Sequence, residues 1–132
     1  MKIRHIENGD IDFCASLFRI KREALHDRLL HSKGRFNDTL YYIAYDEATG
    51  INEGAFAFHN IDYKNRHLAI LAAPKTKELL DLAAKYAFAQ FDFDKVYFFS
   101  REAVKGYSDE GTVRDEKGAV TVCSLTRTPQ NS

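Results

Sequence analysis

The sequence has no net charge, because its 19 lysines and arginines are balanced by 19 aspartates and glutamates. A nucleic-acid-binding protein needs a basic excess to displace counterions from phosphates, so that class is not expected. No apolar run approaches the ~20 residues of a membrane helix. The N-terminal segment MKIRHIENGD has no apolar signal-peptide core. We therefore expect a soluble, cytoplasmic protein that contacts neither nucleic acid nor membrane.

Cysteine is also scarce, since Cys14 and Cys123 are the only two and both lie in apolar surroundings. We expect two reduced thiols in the core. A zinc site or a disulfide framework would need more ligands at closer spacing. The five histidines show no His-x-x-x-His pair, and the chain contains no P-loop or Gly-x-Ser-x-Gly motif. No metal site is expected.

The composition that is present is typical of a globular protein, with 132 residues, 45% of them hydrophobic and 29% charged. This length supports one hydrophobic core. We assign residues 1–126 to a single domain and residues 127–132 to a flexible polar tail. Helical spacing of apolar residues predicts a helix over 11–30, interrupted once, and a second over 76–91, with Asp10 and Thr76 as the N-caps.

Strand patterns occupy most of the remaining chain. Six strands are predicted, at residues 2–6, 41–45, 54–59, 67–72, 95–100 and 119–125. The strands at 67–72 and 95–100 are joined by a helix and should be parallel neighbours, whereas strands joined by short turns should be antiparallel. The pattern predicts an α/β fold, an α+β mixed sheet of about six strands with helices on both faces.

Three segments in this order resemble the middle of the GNAT N-acetyltransferases, in particular the branch that acetylates ribosomal proteins. They read YYIAYDEATG, GAFAFHNID and NRHLAILAA. The C-terminal segment GYSDEGTVRDEKGAVTVCSLTR also resembles the family's end, where Gly106-Tyr107, Glu110-Gly111, Arg114-Asp115 and Ser124-Leu125-Thr126-Arg127 recur. The resemblance implies a GNAT-like fold, an acyltransferase ancestry and acetyl-CoA as the ligand of that fold.

Two features depart from the family pattern. GNAT enzymes hold the cofactor pyrophosphate with a glycine-rich loop at a helix start, whereas residues 72–78 here read AAPKTKE. Without glycine a close backbone approach is harder, and Pro74 removes one N–H donor. Secondly, the family has a helix after the strand at 95–100 that often carries a general-acid tyrosine. Here residues 101–105 leave room for at most one turn.

The resemblance implies a specific set of residues if acetyl-CoA binds. Pantetheine would lie where the strands at 67–72 and 95–100 separate, and the phosphates would face the following helix start. Lysines at a helix start oppose the helix dipole, which is explained either by a bound anion or by a solvated helix end. The implied cofactor-binding residues are Ala69, Leu71, Ala73, Lys75, Thr76 and Lys77.

Three residues are candidates for catalysis. Glu53 or His59 would be the general base and Tyr107 the general acid. Each has an ordinary alternative, since a histidine at a strand end is often a half-buried structural residue and a tyrosine in an apolar pattern usually packs. Cys123 lies in mid-strand without a histidine nearby in sequence, so a cysteine nucleophile is not expected.

These departures favour a degenerate GNAT domain that is not catalytic, binds no cofactor and serves contacts with a protein partner or a second copy. An aromatic content of 13% fits such an interface. Reduced GNAT-like domains of this size are familiar among phage proteins, including virion components. Two alternatives stay open: an active acetyl-CoA-dependent N-acyltransferase with a shortened cofactor loop, and a regulator that binds another small ligand.

Overall fold

A seven-stranded mixed sheet forms the centre of the computed structural model, which describes residues 1–31 and 39–127. The strands lie in the order β1-β2-β3-β4-β5-β7-β6. Their bounds are β1 (Lys2–His5), β2 (Leu40–Tyr45), β3 (Asn52–Asp62), β4 (His67–Ala73), β5 (Lys95–Ser100), β6 (Ser108–Asp115) and β7 (Gly118–Thr126). The helices are α1 (Ile11–Phe18), α2 (Arg22–His31) and α3 (Lys77–Gln90), and a 3-10 turn (Asn8–Asp10) precedes α1.

The strand directions confirm the prediction from the connections. β4 and β5 are parallel neighbours, because α3 carries the chain back across one face of the sheet between them. The other neighbouring pairs in the described residues are antiparallel. The sheet is therefore mixed, as expected.

Helices cover both faces of the sheet. α3 packs on one face over the apolar side chains of β2 to β5, including Phe56, Phe58 and Leu68. On the other face α1 and α2 pack on β2 and β3, where Cys14 and Leu25 contact Ile43 and its neighbours. The two clusters alternate along β2 and β3, as the pleat requires. Cys14 and Cys123 are free and buried, as the sequence indicates.

The sheet has one more strand than the six predicted. β6 lies at the edge and pairs with β7 alone, so its sequence SDEGTVRD shows no apolar alternation. The first helical region is interrupted as predicted. Arg19 ends α1 in the left-handed conformation, with φ of 55°, before α2 begins.

Asp10 occupies the N-cap position of α1, as predicted, but its side chain makes no capping hydrogen bond to the helix. The carboxylate instead accepts two hydrogen bonds from the Arg4 guanidinium, at 2.6 and 2.7 Å, and a third from the Glu7 N–H at 2.9 Å. Its side chain is only 8% exposed. The carboxylate thus forms a partly buried ion pair between β1 and the start of α1, and the two bonds from the Arg4 guanidinium are charge-assisted and therefore strong.

Arg127, which the sequence analysis assigns to the tail, is bonded to the end of α3 and the segment after it. Its guanidinium donates to the carbonyls of Phe88, Phe91 and Phe93 at 2.7–2.8 Å, and it lies over the Phe88 ring. These carbonyls belong to the last turn of α3 and the segment after it, where helical acceptors lack partners. Residues 128–132, the rest of the predicted tail, lie outside the described residues.

We predict that Asp10→Asn lowers the free energy of unfolding by about 2 kcal/mol at neutral pH, because it removes charge-assisted bonds inside the protein. The Arg4 hydrogen bonds hold the pKa of Asp10 below its ordinary value of 3.8. This stabilisation is present above that value and is lost as the pH falls through the native pKa. The difference between wild type and variant, measured by urea denaturation, should therefore shrink in acid.

Asp12→Asn is the matched control, because Asp12 pairs with Arg22 on the exposed surface. We expect a change below about 0.5 kcal/mol for that variant. Equal effects of the two substitutions at neutral pH would contradict the role assigned to the Arg4–Asp10 pair.

Candidate functional site

β4 and β5 are paired over a short distance and then separate. Their register contains three pairs, of which Ala69 with Tyr97 is the last. β4 continues to Ala73 against β3, and β5 continues to Ser100 against β7. Residues 70–73 and 98–100 thus have no partner in each other's strand. We call this space between the two strands the wedge.

The inner edges of the wedge carry backbone groups that a ligand can pair with. Buried N–H and C=O groups require partners, and an extended ligand can supply them in the way that an added strand does. Ala69, Leu71 and Ala73 follow one another along the β4 side of the wedge. Ala69 and Ala73 are buried, whereas Leu71 is 41% exposed on the face opposite α3. These three predicted cofactor-binding residues therefore lie on the part of β4 that borders the wedge.

Lys75 spans the wide end of the wedge. Its Nζ donates to the carbonyl oxygen of Phe99 at 2.6 Å. The Lys75 side chain therefore connects the segment after β4 to the backbone of β5. Desolvation of the ammonium, with the nearby charge of Arg101, lowers the pKa of Lys75. Lys75, which was predicted to face the cofactor phosphates, is therefore bonded to a backbone carbonyl across the wedge.

The start of α3 is built from Thr76 and Lys77. The Thr76 hydroxyl accepts from the Leu79 N–H at 3.2 Å, which confirms the predicted N-cap. The Lys77 ammonium lies 2.6 Å from one oxygen of Asp81, and the Tyr107 hydroxyl donates to the other oxygen at 2.8 Å. Lys77 is thus neutralised by a carboxylate of its own helix.

Tyr107 is held as a packing residue as well as a hydrogen-bond donor. Its ring packs edge-on against Phe98, with centroids 4.9 Å apart. Burial, and then the bond to Asp81, raise the pKa of Tyr107, so its phenol stays protonated. Burial alone would raise the pKa of Asp81, but the hydrogen bonds from Lys77 and Tyr107 lower it below its ordinary value. Residues 101–107, which connect β5 to Tyr107 and β6, contain no helix.

Glu53 lies beside the start of α3 rather than inside the wedge. It lines a cleft of about 290 Å³ together with Met1, Pro74, Thr76, Glu78 and Leu79. Two carboxylates in this cleft, those of Glu53 and Glu78, oppose a bound phosphate. The Glu53 carboxylate could act chemically as a base, but it lies on β3 in this cleft and not in the wedge.

His59 lies next to the narrow end of the wedge. It pairs with Ala69 across β3 and β4, and Ala69 pairs with Tyr97 across β4 and β5. Paired residues point to the same face, so His59 and Tyr97 flank the small side chain of Ala69, with Cα atoms about 10 Å apart. Burial lowers the pKa of His59, which favours the neutral imidazole. The structure does not bring Glu53, His59 and Tyr107 into one cluster.

Tyr97 is a candidate that the sequence pattern did not indicate. It lines a second cleft of about 220 Å³ with His67, Lys95, Glu110 and Val122, on the face opposite α3. Glu110 accepts from Lys95 and from Ser124, each at 2.6 Å, and these bonds lower its pKa. The buried Nδ1 of His67 has no hydrogen-bond partner in the part of the chain that the structure describes. The sequence did not predict this cleft, because KVYFFS has the pattern of a core strand. The cleft becomes apparent only once the pairing of the strands is known.

The described residues fit one part of acetyl-CoA better than the other. The unpaired strand edges of the wedge suit the extended, amide-containing pantetheine arm. The start of α3 offers the free N–H groups of a helix terminus, but it lacks glycine and carries Glu78. Within residues 1–31 and 39–127, no group of side chains could hold a metal ion, and no helix is long and apolar enough to cross a membrane.

The mixed sheet, the α3 crossover and the wedge together define the GNAT N-acetyltransferase fold, and solved structures confirm it. A chimera of the spermidine N-acetyltransferase SpeG from Vibrio cholerae and hSSAT is 19% identical over 96% of both chains, with a TM-score of 0.75. The Vibrio cholerae enzyme in complex with CoA and spermine is 19% identical over 95% of this chain and 94% of that chain, also with a TM-score of 0.75.

A third structure, the Vibrio cholerae enzyme with manganese ions, gives a TM-score of 0.73 and 19% identity, covering 95% of this chain and 91% of that one. No family model and no curated protein sequence matches the chain. At this identity the likeness shows the fold. It does not support the ribosomal-protein branch over any other branch.

Gly54 sets how closely α3 approaches the sheet beside the wedge. A Cβ at Gly54 would lie 3.0 Å from Leu79 Cδ2 and 3.1 Å from the Ala73 carbonyl oxygen. We predict that Gly54→Ala lowers the free energy of unfolding by about 1–3 kcal/mol through overpacking. Gly9→Ala is the control, since nothing lies within 4 Å of its Cβ position. Chemical denaturation that finds equal losses for both variants would contradict this packing.

Proposed function

We propose that this chain is an N-acyltransferase that transfers an acetyl group from acetyl-CoA to an amine. The observation that carries the proposal is the wedge. There β4 and β5 are no longer paired with each other, but β4 stays paired with β3 and β5 stays paired with β7. The solved structures of this fold support it, because they are spermidine N-acetyltransferases, and one of them contains CoA and spermine. Spermidine and spermine are therefore the first acceptor amines to test.

The proposed function replaces the non-catalytic reading of the sequence. That reading rested on the missing glycine loop and the missing helix after β5, and both are indeed missing from residues 72–78 and 101–107. Neither loss affects the wedge, which is made of backbone. No observation on the described residues or the fold neighbours supports a role limited to contacts, a phage origin or a virion. A protein partner or second copy stays a prediction.

The binding step uses backbone more than charge. The edge at residues 70–73 and the facing edge at residues 98–100 would pair with the amides of the pantetheine arm. Lys75 would give up the Phe99 carbonyl and face the phosphates, while Thr76 keeps α3 capped. The helix start then contributes N–H groups and a partial positive charge to the phosphates.

The catalytic step needs an amine that has lost its proton. Acetyl-CoA supplies an activated acetyl carbonyl. The acceptor amine approaches β4 and β5 from the face opposite α3, because in the described residues α1 and α2 pack on that face over β2 and β3 only. His59 is the base on that face, since burial keeps its imidazole neutral and ready to take the proton. In this proposal Tyr97, which is paired with Ala69 on the side away from β3, donates a proton to the leaving sulfur.

We predict that CoA raises the melting temperature, as does any ligand that binds only the native state. At 100 times the dissociation constant the stabilisation is about 2.7 kcal/mol. Because the wedge fits pantetheine better than the helix start fits phosphates, free pantetheine should stabilise the protein more than ADP does at the same concentration. A melting curve that stays unchanged at millimolar CoA would refute the proposal.

We further predict that His59→Gln lowers kcat about 100-fold with a polyamine acceptor, as removal of a general base does. In the wild type, activity should fall on the acid side through the pKa of His59, which lies below the ordinary 6.5. The variant should lose that acid limb. His26→Gln, on an exposed position of α2, is the control. An unchanged acid limb in His59→Gln would assign the base elsewhere.

A further inference from the structure

We propose that Glu110 selects the acceptor, so that the preferred amines carry a second positive charge at a set distance from the reacting nitrogen. This inference rests on the proposed function, which places the reacting nitrogen between His59 and Tyr97. The cleft of about 220 Å³ beside Tyr97, which Glu110 also lines, would hold the rest of the acceptor. Glu110 is thus a specificity-determining residue and takes no part in the chemical step.

A row of paired residues leads from the reaction centre to this carboxylate. His59 pairs with Ala69, and Ala69 pairs with Tyr97. Tyr97 pairs in turn with Ser124 on β7. Paired residues point to the same face and neighbouring strands lie about 4.8 Å apart, so Ser124 lies roughly 10 Å from Ala69. The Ser124 hydroxyl donates to Glu110 at 2.6 Å, which places the carboxylate at the end of this row on the face that the acceptor approaches.

One oxygen of Glu110 is left for a ligand. The bonds from Lys95 and from Ser124 both end on Oε1, each at 2.6 Å. In the described part of the chain no hydrogen bond or ion pair reaches Oε2, and the side chain is 38% exposed. A carboxylate can accept about four hydrogen bonds, so Oε2 can accept one from a further ammonium. The bonds from Lys95 and Ser124 hold the pKa of Glu110 below its ordinary 4.5, so the group is ionised at neutral pH.

The other groups of the cleft fit an acceptor with a hydrocarbon chain between its two nitrogens. Tyr97 and Val122 supply apolar surface along the way to Glu110. The charged group that opposes a second cation is Lys95. Its ammonium lies on Oε1, so a ligand on Oε2 is closer to the carboxylate than to Lys95 and is attracted on balance. The competition from Lys95 and the exposure of Glu110 keep the expected preference modest.

The test compares hexamethylenediamine with hexylamine, which have the same carbon chain and differ in the second ammonium. In titration calorimetry without an acyl donor, the wild type should bind the diamine about fivefold more tightly, as a partly exposed ion pair allows. Glu110→Gln, which keeps the shape and an acceptor oxygen, should bind both amines equally. Trimethylenediamine is too short to reach Glu110 and should bind no better than propylamine. The preference for hexamethylenediamine should weaken at high salt.

Glu116→Gln is the matched control, because it removes the same charge from an exposed residue between β6 and β7. That variant should keep the wild-type preference. In acetylation assays with saturating acetyl-CoA, Glu110→Gln should raise KM for hexamethylenediamine about fivefold, with kcat unchanged and both constants for hexylamine unchanged. A residue that only stabilised the fold would alter the constants for both amines.

The binding and the transfer measurements separate the two proposals. Equal binding of the two six-carbon amines by the wild type, or an undiminished preference in Glu110→Gln, overturns the inference about Glu110. If both amines are acetylated with equal kcat/KM, that inference fails and the proposed function stands. If the wild type prefers the diamine in calorimetry but acetylates neither amine, the proposed function fails and Glu110 stands as part of a diamine-binding site.

Discussion

The short parallel contact between β4 and β5 is the constraint on which the rest of this structure depends. Three residue pairs join the strands, and the Asp94 N–H extends the contact by donating to the Arg66 carbonyl at 2.8 Å. Beyond Ala69 and Tyr97, each strand follows its other neighbour, β3 or β7. A backbone edge left unpaired between two covered strands needs a partner, and an extended amide-bearing ligand is a natural one.

Much of the fold was predictable because it follows from local patterns. The apolar run HLAILA and the helix after it predict two parallel strands, and that prediction is confirmed. β6 was missed because an edge strand with one neighbour needs no apolar face. Asp10 is the N-cap residue that its position predicts, but sequence spacing does not reveal that its carboxylate bonds to Arg4 of β1, at 2.6 Å, instead of to the helix.

The candidate site was predictable in its location but not in its contacts. Thr76 is the cap that its position predicts, and Asp81 could have been found as the partner of Lys77 from their i,i+4 spacing. The partner of Lys75 is a backbone carbonyl on another strand, which no side-chain pattern encodes. Tyr97 was overlooked because its strand reads as core, and its relation to His59 exists only through the register of three strands.

Hydrogen–deuterium exchange with and without CoA tests the central claim most directly, because it reports which backbone amides gain a partner. The account predicts slower exchange at residues 70–73 and 98–100, with no comparable change in β1, β2 or α1. Protection confined to other segments, or no protection at a CoA concentration that saturates binding, would contradict the claim that the separated edges of β4 and β5 hold the acyl donor.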